Sequence, residues 1–188
     1  MWRRYCKVGF YLQVDDICHL LFTQHEEKYT MKPLVEWTDE LSVGVQEIDE
    51  QHKVLVGLVN RMYESIIRRT DKEEVNAILT ELAQYTVIHF AVEESLMRIF
   101  DYPDYDAHKK HHQELINQVV ELQNKTLKNE GSVSMEVLHF LRHWLTYHIL
   151  NDDKKYGPFL LGKGLKPTWS QKSWVGKIWD SMRHHPNA

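Results

Sequence analysis

The run His89-Phe90-Ala91-Val92-Glu93 constrains this chain more than any other stretch, because it sets an imidazole and a carboxylate four residues apart within an apolar line. A helix repeats every ~3.6 residues, so the two groups point the same way, one turn apart. Val75, Leu79, Leu82 and Thr86 lead up to His89 at alternating spacings of four and three, and Leu96 and Phe100 continue past Glu93. That is the stripe of a helix turned toward a core. A carboxylate buried there without a partner is costly, and the usual compensations are a cation, a hydrogen-bond network or a metal.

Three more stripes accompany it. Ile48, His52, Leu55, Val59, Met62 and Ile66 keep the same alternation in a helix from Glu47 to about Arg69. Thr70-Asp71, with Glu73 and Glu74 in a first turn that favours negative charge, opens the helix that carries His89. Tyr102-Pro103-Asp104 ends that helix near Phe100. A third, from about Asp104, presents His108, His112, Leu115, Val119, Leu122 and Thr126 along one side. After the turn Asn129-Glu130-Gly131-Ser132, a fourth turns Leu138, Leu141, Leu145 and His148 inward. Short connections imply antiparallel neighbours, so the expected fold is all-α, an antiparallel up-down four-helix bundle. Residues 34–161 make the bundle, 1–33 an N-terminal extension and 162–188 a C-terminal tail. The arm Val35–Val45 is expected to pack over a bundle end. Within residues 1–30, WRRYCKVGFYLQV could be a short strand and DDICHLLFTQHEEKY a short helix.

Histidine is the unusual count, at twelve. A lone histidine on an inward face is most often hydrogen-bonded, but His52, His89, His108, His112 and His148 come from all four helices and can meet at one level with Glu93 and an acid near the end of the fourth. Imidazoles cannot satisfy one another in such numbers. With two carboxylates they form a mixed nitrogen and oxygen shell suited to iron, and less selectively to manganese or zinc. Seven donors exceed the six of one octahedral ion, so two ions sharing carboxylates account for them better. On the fourth helix His139 and His143 lie roughly 180° and 140° from His148 at ~100° per residue, and are expected in solvent. His111 is a rival to His112, which is preferred for its spacing from His108. Glu136-Val137-Leu138-His139 is a solitary outward Glu-x-x-His, whereas ferritin-like sites use two.

Other classes find no support in the sequence. The formal net charge of -4 comes from interspersed signs, without the clustered basic face that nucleic acid requires. No run approaches the ~20 apolar residues of a membrane span, and no secretory leader pattern is visible. Cys6 and Cys18 form no CxxC, which fits free thiols and a cytoplasmic location. HExxH, a glycine-rich phosphate loop and a GxSxG elbow are absent from the sequence.

Asp49-Glu50-Gln51-His52-Lys53, His89-Phe90-Ala91-Val92-Glu93-Glu94, His108 with His112, and His148-Ile149-Leu150-Asn151-Asp152-Asp153-Lys154-Lys155-Tyr156 together resemble the hemerythrin family, in its bacterial form. The likeness spans about Leu34 to Leu160 and includes Trp37 and Trp144. It implies two iron ions, cycling between ferrous and ferric, with a bridging oxo or hydroxo group. His108, His112 and His148 would hold one iron, His52 and His89 the other, and Glu93 and Asp153 would bridge them. The family position is Asp153, five after His148, whereas straight helical geometry favours Asp152, four after; a loosened terminal turn would reconcile them. The resemblance further implies reversible dioxygen binding at the open position of the second iron, beside an apolar pocket to which Leu145 and Ile149 correspond.

The expected protein is therefore a non-catalytic oxygen carrier, store or buffer. A sensor of iron or oxygen, or a diiron enzyme acting on oxygen, peroxide or nitric oxide, is the alternative. In the tail, Trp174, Val175, Ile178 and Trp179 would share a helical face opposite Lys172 and Lys177, either covering the bundle or docking an oxygen-consuming partner or an anionic membrane surface. Because the clear pattern begins only after Met31, translation is expected to start there, and intact mass of the natively expressed protein decides the point; a mass that includes Met1 ends the idea. His89→Ala should lose at least one iron per chain and His139→Ala none. Equal loss in both, by iron counting, would mean that the inward and outward faces are misassigned.

Overall fold

The structure, a computed structural model, describes residues 31–127, 135–168 and 181. The strand and helix expected within residues 1–30, the turn at 129–132 and the tail residues Trp169, Lys172, Trp174, Val175, Lys177, Ile178 and Trp179 lie outside the described residues. The arm and the helices all belong to the unit Pro33–Ala188.

The apolar stripes become four long helices: α1 (Gln46–Arg68), α2 (Lys72–Ile99), α3 (Tyr105–Leu127) and α4 (Met135–His148). The last continues through a single π-helical turn, Ile149–Asp153, into α5 (Lys154–Gly162). Helix α2 packs against both α1 and α3, and α1 against α4, so the chain closes an all-α four-helix bundle. The core is built from the predicted seam, with Ile48, Leu55, Val59, Met62, Leu79, Leu82, Leu138, Leu141 and Leu145 all buried. One expectation shifts: beyond Glu93 the fully buried residue is Met97, while Leu96 and Phe100 are half-buried. A strict four-three alternation averages 3.5 residues per turn, and a straight helix drifts away from it by ~20° per heptad.

Helix ends follow local chemistry. Helix α1 stops where Arg69 turns left-handed, at φ 55°, and its N–H bonds to the Ile66 carbonyl; Thr70 N–H closes on the Ser65 carbonyl at 3.0 Å. This is the common helix-terminating turn, with an arginine in the place that glycine usually takes.

The arm packs against the bundle with Val35, Leu41, Val43 and Val45 buried, but it runs along the side of α1 instead of over a bundle end: Val35 meets Asn60 well inside that helix and the Trp37 ring lies 6.5 Å from the His52 ring. Asn60 clamps its start, accepting from Val35 N–H at 2.9 Å and donating to the Val35 carbonyl at 2.8 Å. Asp49 clamps its end, accepting from Ser42 Oγ at 2.6 Å and from Val43 N–H at 2.7 Å. Gly44, at φ +82°, then turns the chain into α1. Beyond α5 the chain stays packed: Leu165 is buried, and the Pro167 carbonyl accepts from Gln46 N–H at 2.8 Å.

Arm and α5 meet so closely that a side chain is excluded. A Cβ on Gly157 would lie 2.2 Å from the backbone carbonyl oxygen of Val43, a residue whose N–H is tied to Asp49, whereas one on Gly57 in α1 meets nothing within 4 Å. Gly157→Ala should therefore destabilise the protein by about 1–3 kcal/mol. Gly57→Ala should stabilise it by roughly 0.5–1 kcal/mol through helix propensity. Thermal or urea unfolding checks both, and an unaffected Gly157→Ala would show that the arm can lift away.

Candidate metal centre

Every inward histidine reaches the same level of the bundle. His52 on α1, His89 and Glu93 on α2, His108 and His112 on α3, His148 at the end of α4 and Asp153 in the π turn are all buried. Their donor atoms form two groups, each with its atoms within 4.8 Å of one another. One is Glu93, His108, His112, His148 and Asp153; the other is His52, His89, Glu93 and Asp153. Glu93 and Asp153 belong to both.

The π turn brings Asp153 in. On a regular helix the residue four after His148 would share its face, which is why geometry alone favours Asp152. A π turn holds more residues per turn and shifts the face by about one position. Asp153 Oδ1 thus lies 3.2 Å from His148 Nε2 and 3.4 Å from His108 Nε2, and Oδ2 lies 3.2 Å from His52 Nε2. Asp152 sits on the outer side instead, its Oδ2 3.3 Å from His148 Nδ1. Glu93 spans the cluster likewise, with Oε2 3.1 Å from His112 Nε2 and Oε1 3.4 Å from His89 Nε2.

These groups do not satisfy one another. His52 Nε2, His89 Nε2, His148 Nε2, Glu93 Oε2 and both Asp153 oxygens are buried without a hydrogen-bond partner, and His108 Nε2 faces His112 Nε2 at 2.9 Å. Leaving so many polar atoms unmet in a core is strongly unfavourable. Cations at the two foci would meet all of them, so the donor set fits a pair of metal ions, with a nitrogen and oxygen mixture that suits iron.

Charge in the cluster points the same way. Burial, reinforced for His89 by His52 and for His108 by His112, pushes His89 down to about 3 and His108 down to about 4, which keeps their lone pairs free at neutral pH. Burial opposes a charge on His52 too, but Asp153 and Glu93 outweigh it and hold the ring up at about 9. That proton occupies the place a cation would take. Burial would raise Glu93, yet the surrounding imidazoles, His89 foremost, hold it well below the carboxylate range. Burial and the charges of Glu93 and Asp153 push the Tyr156 phenol well above its ordinary range, so it stays protonated and donates to Glu93 Oε1.

An outer ring of partners escaped the sequence reading. His89 Nδ1 meets Gln51 Oε1 at 3.1 Å and His112 Nδ1 meets Glu94 Oε1 at 3.2 Å, while Phe90 stacks on the His112 ring at 3.7 Å. Gln51, Glu94 and Asp152 each adjoin an inward residue in sequence, and that adjacency is the signal that could have found them. A neighbour is rotated ~100° away and reads as outward, but it touches an imidazole arriving from another helix or the next turn. The decoys behave as expected: His111, His139 and His143 are exposed. Leu145 and Ile149 are buried on either side of His148.

Known proteins resemble the chain over this same span. Residues 43–160 match the family model of the hemerythrin HHE cation binding domain. The bacteriohemerythrin of Methylococcus capsulatus is 35% identical over 128 residues, covering 68% of this chain and 97% of its own. That of Pseudomonas aeruginosa is 38% identical over 122 residues, covering 64% and 77%. A hemerythrin-like protein of Naegleria gruberi is 30% identical over 120 residues, covering 64% and 88%. A solved wild-type hemerythrin superposes with a TM-score of 0.64 at 35% identity, covering 68% of this chain and 98% of that one.

Proposed function

This chain belongs to the hemerythrin family, and from that premise we propose that it binds dioxygen reversibly at a pair of iron ions, serving as a carrier, store or buffer of oxygen in the cytoplasm and not as an enzyme. The observation that carries the reading is the unequal division of the donors: two groups share Glu93 and Asp153, one adding three imidazoles and the other only two. In this reading His108, His112 and His148 would hold one ion and His52 and His89 the other, with Glu93 and Asp153 available to both. The two-histidine position is one protein ligand short of its neighbour, which leaves room there for a small molecule. Two iron ions held there would supply the two electrons that reversible dioxygen binding requires.

The chain's own residues make return favourable. Leu145, Ile149 and Phe90 surround the histidines with apolar surface and keep water away from the centre. Tyr156 holds Glu93 Oε1 by donating its phenolic proton, and its raised pKa makes it a poor acid toward anything bound nearby. Leu145 and Ile149 thus act as walls of the oxygen pocket.

Anaerobic iron loading, exposure to air and then degassing tests the proposal. Two irons per chain and a visible absorption band that comes and goes with oxygen are expected. Irreversible bleaching with turnover of added reductant would overturn the carrier reading in favour of an enzyme. In the same cycle Leu145→Ala should retain both irons yet lose its reversible band sooner, since it opens the wall beside His148 to water.

A further inference from the structure

His89 reaches the cluster through Nε2, and its other ring nitrogen faces a buried amide. Nδ1 lies 3.1 Å from Gln51 Oε1, and Gln51 Nε2 donates to Glu47 Oε1 at 3.0 Å. Gln51 is fully buried and Glu47 is 6% exposed. The direction of this chain of hydrogen bonds follows from what each group can do. A carboxylate only accepts, so it takes the amide N–H and turns the amide oxygen toward His89. That oxygen also only accepts, so His89 must present Nδ1–H, and a neutral ring then carries its lone pair on Nε2. Nε2 is the very atom that lies buried without a hydrogen-bond partner, 3.4 Å from Glu93 Oε1.

The other group is supported differently. His112 and His148 meet the carboxylates Glu94 and Asp152 through Nδ1, whereas His89 meets a neutral amide and His52 Nδ1 has no hydrogen-bond partner. A carboxylate behind an imidazole orients it and makes it a stronger donor; an amide orients it without adding charge. The two cation positions therefore differ in their outer partners as well as in their number of histidines.

We propose that Glu47 and Gln51 are positioning residues that lock His89 in its Nδ1–H tautomer and thereby set how tightly the two-histidine position holds a cation, separately from the three-histidine position. This rests on the proposed pair of cation positions. Gln51→Leu removes both hydrogen bonds at similar size. Glu47→Gln keeps the Gln51 amide but frees it to present either end.

Long-range proton–nitrogen NMR of the metal-free protein at neutral pH reads the His89 tautomer, and Co2+ titration followed by visible absorption reads the two binding steps. The wild-type chain should show Nδ1–H and two steps. Gln51→Leu should show a mixed tautomer and weaken only one Co2+ step, by about 10–100-fold. Glu94→Gln should weaken the other step and leave the His89 tautomer alone. An unchanged tautomer and unchanged steps in a folded Gln51→Leu protein would overturn the proposal, and Glu47→Gln supplies both readouts if that variant does not fold. A wild-type chain that takes up a single Co2+ would instead remove the two-position reading beneath it.

Discussion

Two carboxylates with almost no hydrogen-bond donors of their own stand in the middle of an apolar bundle, and the rest of the fold is arranged around that cost. Glu93 and Asp153 are each 0% exposed, and the ion pairs that Lys53, Arg61, Arg68 and Lys109 make lie elsewhere, at the surface. What surrounds the acids is imidazole from each of the four long helices. Imidazole is the side chain that can be buried neutral, keep a lone pair for a metal and still be oriented from behind. The seam accordingly alternates between ordinary core, where leucine and isoleucine interdigitate, and one polar layer that is completed only by positive charge.

That layer depends on a departure from regular helix. Had α4 continued without the π turn, Asp152 would face the cluster and Asp153 would lie beside it. Residues of α5 hold the turn in place: Tyr156 and Leu160 are buried, Gly157 lies under the Val43 carbonyl, and Tyr156 reaches back to Glu93. Asp49, one turn before His52 on α1, anchors the end of the arm that presses on α5. Packing of the arm against α5 and the geometry of the acid that both donor groups share are thus one problem, solved by the same contacts.

Around the donors runs a set of hydrogen bonds whose chemistry is not uniform. Carboxylates stand behind His112 and His148 and an amide behind His89, so the two halves of the centre differ in charge as well as in composition.

The sequence alone determined the helices and most of the donors. Periodicity is a local property, and a histidine four or three residues from the next apolar position must share its face whatever the partner helix is; this places His52, His89, Glu93, His108, His112 and His148 inward and His139 and His143 outward. Asp153 was legible only through family resemblance, because spacing by itself favoured Asp152. Tertiary structure decided the rest. The glycine demanded at 157 and the partners Gln51, Glu94 and Tyr156 arise from contacts between segments far apart in the chain, and the π turn that brings in Asp153 is braced by the packing of α5. No local pattern encodes which atom of a distant helix will arrive, and only packing in three dimensions settles it.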